Sequence, residues 1–296
     1  MNLSRCTMNS TNKFTKYLLL LFILNISCSS PRISVFALNY SPNFSKKFFL
    51  ADLGKTEKNA VKDPDNSLLQ FQASKKLITY LYGFSLNEAE ELKNQDYDKG
   101  KAAYLRAHND FIRSLNYINT SLVLDYPNYL LWINGQDNNE IKFKKESAEK
   151  LYWAAGAYAG VIQSSNGDPE WIIQLPKIGL LLEEGMKLDS SWNFGSFYTA
   201  MISYSMIRHD AKEDKFIVAK NYFKKAVEAS DGQDLSPYIS YAENIAVSSQ
   251  NKKEFTNMLY KALNIDIYAN PELTLTNYIG RKRANWLLDN IDELFY

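Results

Sequence analysis

The chain has 296 residues, with 34 Lys and Arg against 33 Asp and Glu and a formal net charge of +1. So even a balance, with both signs mixed along the sequence, excludes the concentrated basic surface that phosphate contacts need, and no nucleic-acid partner is expected. Hydrophobic residues make up 46 % of the chain, 20 Tyr and 16 Phe among them, which supplies a large core without help from its two cysteines, Cys6 and Cys28.

The first thirty residues read as an address. Arg5, Lys13 and Lys16 form a basic n-region, with Met8 offering a second, shorter start. The apolar run at 17–24 (YLLLLFIL) falls far short of the ~20 residues of a spanning helix and fits a secretory h-region of ~7–15 residues. Ser27 and Cys28 follow, then Ser29 and Ser30. A cysteine behind a small residue at the end of the apolar core resembles a lipobox, in which the sulfur receives a diacylglycerol, although Asn25 stands where Leu is usual. The alternative is an ordinary cleaved secretory peptide. On the lipobox reading, residues 1–27 are removed and Cys28 anchors the mature chain to a membrane leaflet without spanning it. Three basic groups leave with the leader, so the mature chain carries a net charge of about −2.

Residues 28–62 are expected to be a lipid-anchored tether and a first helix. Ser29, Ser30, Pro31, Ser41 and Pro42 interrupt helical patterning, which begins at 44–53. A helical domain follows over 63–296. Leu68, Leu69, Leu77, Ile78, Leu81 and Tyr82 recur at helical intervals. The reading continues through 88–92 and 102–118, breaks at Asp125-Tyr126-Pro127 and Asn134-Gly135, and resumes over 144–162. Further helices are predicted at 170–188, 194–208, 214–229, 237–249, 253–263 and 271–288. Sustained alternation of the strand period is absent from the sequence, so the expected fold is all-α.

One unit recurs in the last third. Ala219, Phe223 and Ala226, then Phe255, Leu259 and Ala262, follow the small–large–small order of the second helix of a tetratricopeptide (TPR) repeat. Small residues let two helices approach, and the large one locks them. A looser copy carries Gly185 in the late small position. The steps from Gly185 to Ala226 to Ala262, about 41 and 36 residues, lie near the ~34-residue TPR period. The expected architecture is therefore a stack of TPR-like helix pairs.

Catalytic signals are thin. His108 and His209 have no partners at metal-ligand spacing, and Glu88, Glu90 and Glu91 read as a solvated helix face. Neither a phosphate-cradling loop nor a nucleophile elbow is present. The chain is read as a non-enzyme, with no metal or cofactor expected. Gly156 and Gly160, with Ala155 and Ala159, read as a close helix seam. Tyr152-Trp153, flanked by small residues, are either core or the lining of a ligand cavity. Asn277, Arg283 and Trp286 share a broad face of the last long helix. Arg283 there either pairs with a carboxylate or meets the acidic head of a ligand, and Trp286 caps the end of the array.

An ordered set of residues carries a family resemblance. It comprises Leu151-Tyr152-Trp153-Ala154-Ala155-Gly156-Ala157, the helix from Ala219 to Ala226, Tyr238-Ile239-Ser240-Tyr241-Ala242-Glu243 and the stretch from Val247 to Phe255. It continues through Pro271-Glu272-Leu273, Asn277, Arg283-Ala284, Trp286-Leu287-Leu288 and Asp292-Glu293-Leu294-Phe295. This set resembles the T component of the TPR-associated tripartite ATP-independent periplasmic (TRAP) transporters, with Arg281 standing where that family commonly has Gln. The resemblance implies a periplasmic lipoprotein that partners a substrate-binding (P) component upstream of membrane subunits. It also implies self-assembly into trimers and a cavity that accepts an apolar small ligand. The functional expectation is a lipid-anchored periplasmic adaptor for solute uptake. Its rival is a generic TPR lipoprotein scaffold for envelope assembly.

Overall fold

The computed structural model describes residues 31–136 and 141–295. The expected leader and Cys28 lie outside the described residues. Among those residues there are helices and no strands, as the sequence pattern predicts.

Residues 31–62, read from sequence as a spacer before a first helix, form two helices, α1 (Pro31–Tyr40) and α2 (Pro42–Lys62). Pro42 opens α2 in the first turn, where a missing N–H costs nothing, so it starts a helix instead of breaking one. Val35 of α1 is buried against Ile267 and Tyr278 near the other end of the chain. The Tyr278 hydroxyl donates to Asn39 Oδ1 at 2.6 Å.

Helix α3 (Ser67–Tyr80) is capped by Asn66, whose Oδ1 accepts from the Leu69 amide at 3.2 Å. It runs through a π-turn at Leu81–Ser85 into α4 (Leu86–Gln95). Asp96 caps α5 (Tyr97–Asp125). The short α6 (Tyr129–Ile133) and a 3-10 turn at Lys145–Ser147 lead to α7 (Ala148–Ser164). The helix predicted over 170–188 is two helices, α8 (Pro169–Ile172) and α9 (Leu175–Asp189). Pro176 lacks the N–H that would continue α8, and it sits in the first turn of α9, where a missing N–H costs nothing.

Helix α10 (Trp192–Ile207) opens with three left-handed residues, Asn193, Phe194 and Gly195, at φ of 46°, 58° and 76°. Asp214 Oδ1 accepts from the amides of Phe216 and Ile217 to cap α11 (Lys215–Ala229). Then come α12 (Ser236–Ser240), a π-turn at Tyr241–Ala246, α13 (Lys252–Leu263), α14 (Thr274–Asp289) and α15 (Ile291–Leu294).

Helices pack as successive neighbours: α3 and α4 on α5, α5 on α7, α7 on α9 and α10 on α11. Of the repeat residues, Ala219, Ala226, Phe255, Leu259 and Ala262 are fully buried, while Phe223 is half-buried against Tyr238 and Tyr241. Of the close seam expected at Gly156 and Gly160, the approach is literal at Gly160 but not at Gly156, where an added methyl group would meet nothing nearer than 4.0 Å. A methyl group on Gly160 would sit 2.2 Å from the Phe111 ring, and one on Gly185 would sit 2.3 Å from Phe197. The array also returns on itself, because α14 packs against α12, α13 and the first helix, α1. No described helix is long and apolar enough to cross a membrane.

Candidate functional site

Helix α7 presents an aromatic step. The Tyr152 ring meets Trp153 edge-on at 5.8 Å, Phe197 edge-on at 5.5 Å and Trp192 at 4.9 Å. Burial, then the nearby Asp234 carboxylate, push the Tyr152 phenol up to about 12. Trp153 is half-buried with the Lys75 ammonium 5.6 Å from its ring centre. Its indole N–H is buried and has no hydrogen-bond partner. A buried tryptophan normally finds one; the Tyr129 and Ser205 hydroxyls are likewise buried without a partner.

Tyr82, in the π-turn, faces the same region. Its hydroxyl donates to the Gly156 carbonyl at 3.0 Å, and its ring meets Phe111 edge-on at 5.1 Å. Surrounding protein pushes its pKa well up, with Tyr152 adding to the effect, although 37 % of the residue is open. Tyr82 and Tyr152 thus lie close together on one side of α7, with Tyr82 partly exposed. Asp234, on the loop before α12, is 4 % exposed, and its Oδ1 accepts from the Ser236 amide at 2.8 Å. Burial raises its pKa.

The expected α14 residues do different work. Asn277 is fully buried; its Oδ1 accepts from the Leu235 amide at 3.0 Å and its Nδ2 donates to the Gln233 carbonyl at 2.8 Å. It thereby holds the loop that carries Asp234. Arg283 donates through Nε to Glu243 at 2.7 Å and through Nη1 to Glu90 at 3.0 Å. Its guanidinium lies 4.4 Å from the centre of the Trp286 ring. Burial works against its charge, but the two carboxylates outweigh that and hold its pKa above the ordinary value. Glu243 is pushed up by burial, and Arg283 opposes that rise. The ion triad joins α4, the π-turn after α12 and α14, and so ties the first half of the chain to the last.

The structure thus forms two clusters from the sequence candidates. Tyr152 and Trp153 sit together on α7, and Arg283 and Trp286 sit together on α14. Asn277 connects them indirectly, through the loop bearing Asp234. Sequence reasoning missed Asp234 as a site residue and took Glu90 for a solvated carboxylate. Only its wide separation in sequence from Arg283 hid that pairing. Elsewhere, a polar surface cleft of about 470 Å³ lies beside the α10–α11 loop. It contains none of these residues, and Asp210 occupies Arg208 there through two bonds of 2.8 and 2.9 Å.

Among the described residues no group of three or more His, Cys, Asp or Glu side chains could hold a metal. His108 is spent on Val161 O and Ser164 Oγ, at 3.2 and 3.1 Å. What the geometry offers is a helical-repeat frame with an aromatic cluster at Tyr82, Tyr152 and Trp153 beside the buried Asp234 carboxylate. The chain belongs to the TRAP transporter T-component family, which it matches over residues 46–295. It is a component associated with TRAP transport, a family of transport accessories. A relative in Treponema pallidum (strain Nichols), named only as an uncharacterized protein, is 20 % identical over 240 residues, which is 79 % of this chain and 74 % of the relative.

Proposed function

We propose that the chain is a lipid-anchored periplasmic adaptor in a TRAP-type solute uptake system. Cys28 carries the anchor after removal of residues 1–27. The folded array partners a periplasmic substrate-binding (P) component and assembles with copies of itself, as trimers. The aromatic cluster at Tyr82, Tyr152 and Trp153 holds an apolar ligand whose single polar group takes the indole N–H. The observation that supports this reading is the match to the T-component family over residues 46–295, with the Tyr152–Trp153 aromatic step as the candidate ligand surface.

The test is a pull-down of the tagged full chain from detergent-solubilised envelope, with native mass spectrometry of the purified protein. The proposal expects a solute-binding protein in the eluate and a bound apolar molecule that Trp153→Phe releases. Recovery of envelope-assembly proteins alone would replace the adaptor with a scaffold. A Cys28→Ser chain should lose its lipid label and leave the membrane fraction, and unchanged labelling would remove the anchor.

A further inference from the structure

Helices α1 and α2 carry aromatic residues at every fourth position: Phe36, Tyr40, Phe44 and Phe48. They are 60 %, 73 %, 48 % and 55 % exposed. The first two rings touch, with centroids 4.4 Å apart. These helices already spend other side chains on the fold, Val35 against Tyr278 and Leu53, Thr56 and Ala60 on the buried side of α2. The stripe, two rings on each side of the helix break at Ser41, remains exposed. Four large aromatic groups in water form an apolar surface that a folded monomer does not need.

Charge selects the occupant. Residues 31–50 contain Arg32, Lys46 and Lys47 and no acidic residue, whereas residues 51–296 contain 28 basic and 33 acidic groups. Lys46 is paired with Glu88 and Arg32 lies 5.2 Å from the Tyr268 ring centre, while Lys47 is exposed beside Phe48. Aromatic rings interleaved with basic groups suit the headgroup layer of an anionic bilayer, where the rings reach the acyl boundary and the cations meet lipid phosphate. A two-fold pairing of this face with itself suits it poorly, since such a contact would set these like charges against each other.

We infer that the α1–α2 aromatic stripe lies on the surface of an anionic membrane and sets the orientation of the whole array against it. The inference rests on the periplasmic-adaptor reading for its biological setting, and on the lipid anchor for its geometry. Only Ser29 and Ser30 separate Cys28 from Pro31, a reach of about 10 Å. An acylated Cys28 would therefore hold α1 at headgroup depth.

The test uses the chain from Ser29 onward, which contains every described residue and has no lipid. Its sedimentation with vesicles of phosphatidylcholine, with and without phosphatidylglycerol, isolates the stripe from the anchor. The chain should bind the anionic vesicles reversibly. Replacing Phe36, Tyr40, Phe44 and Phe48 together by Ser should lower the partition coefficient at least about tenfold, since the rings supply most of the buried apolar area. Lys47→Gln, which keeps the stripe, should lower it roughly fivefold on anionic vesicles and leave neutral vesicles unchanged. Melting temperatures of both variants establish that each is folded. Failure of the Ser29 chain to bind, or binding that a folded four-Ser variant retains, would overturn the inference. So would stripe-dependent self-association in sedimentation velocity, which would make a second copy the occupant. None of these readouts depends on Cys28 acylation, so loss of the anchor reading and loss of this one are separable.

Discussion

Replacing Arg283 by Ala removes both arms of the triad that ties α4 to α14 and leaves two carboxylates facing each other without a cation. The side chains of Arg283, Glu243 and Glu90 are 30 %, 30 % and 34 % exposed, which makes the triad half-buried. Exposed ion pairs contribute ~0–1 kcal/mol, and breaking a buried one costs ~3–5 kcal/mol. An intermediate cost of about 2–3 kcal/mol follows once the lost stacking on Trp286 is included. In a domain of this size that is a fall of about 4–10 °C in melting temperature.

The pH dependence identifies the cause. Burial already raises the Glu243 pKa and Arg283 opposes the rise, so the variant carries Glu243 higher still. A carboxyl whose folded pKa lies above its unfolded value binds its proton more tightly in the fold. The fold therefore gains stability as pH drops through the raised value toward the ordinary ~4.3. The deficit of Arg283→Ala should shrink as pH is lowered from neutral, and adding Glu243→Gln should recover part of it at neutral pH. Differential scanning calorimetry across that range is the assay. A wild-type melting temperature for Arg283→Ala would refute the structural role and favour a ligand contact. A deficit indifferent to both pH and Glu243→Gln would refute the electrostatic account.

Other perturbations have equally specific outcomes. Gly160→Ala drives a methyl group to 2.2 Å from the fully buried Phe111 ring. It should cost about 1–3 kcal/mol by urea unfolding, with partial recovery on adding Phe111→Leu; an unchanged midpoint would mean that the α5–α7 seam is looser than described. Asn277→Ala strands the Leu235 N–H and the Gln233 carbonyl in the interior. A loss of about 2–4 kcal/mol in the same assay is expected, and a loss below that of a surface substitution would contradict it. Tyr152 keeps its proton up to about 12 against an ordinary 10.0. It therefore withdraws stability as pH rises from the lower value to the higher, and Tyr152→Phe should flatten that part of the alkaline melting curve.

Local features of the fold were legible, and contacts across long stretches of chain were not. The small–large–small order at Ala219, Phe223 and Ala226 is set by how two neighbouring helices meet, so it can be read in a single window. The same holds for the bounds of α13, predicted at 253–263 and found at Lys252–Leu263, whereas α5, predicted over 102–118, extends at both ends to Tyr97–Asp125. The helical state of residues 31–40 depends on Val35 and Asn39 reaching Tyr278, a contact between opposite ends of the chain. No local pattern announces it. The left-handed residues Asn193 and Phe194 are likewise imposed from outside. Asn193 Nδ2 donates to Ser196 Oγ at 2.7 Å, and Gly195 passes so close to α11 that a methyl group there would meet the Ala229 Cβ at 2.6 Å. Of the site, the aromatic pair and the basic–aromatic face of α14 were visible as residue types at helical spacing. Glu90 was not, because an acidic residue on a helix declares its partner only once the array has closed.

The proposed function has this family member hold an apolar ligand beside Tyr82 and Trp153 and partner a soluble solute-binding protein. The most direct measurement is photo-crosslinking in intact cells from a photoreactive phenylalanine placed at Tyr82, followed by identification of the captured species. The account predicts capture of a solute-binding protein or an apolar ligand, with the signal lost in Trp153→Glu, which puts a charge where the apolar ligand would sit. Crosslinks confined to envelope-assembly proteins, with no such capture, would contradict it.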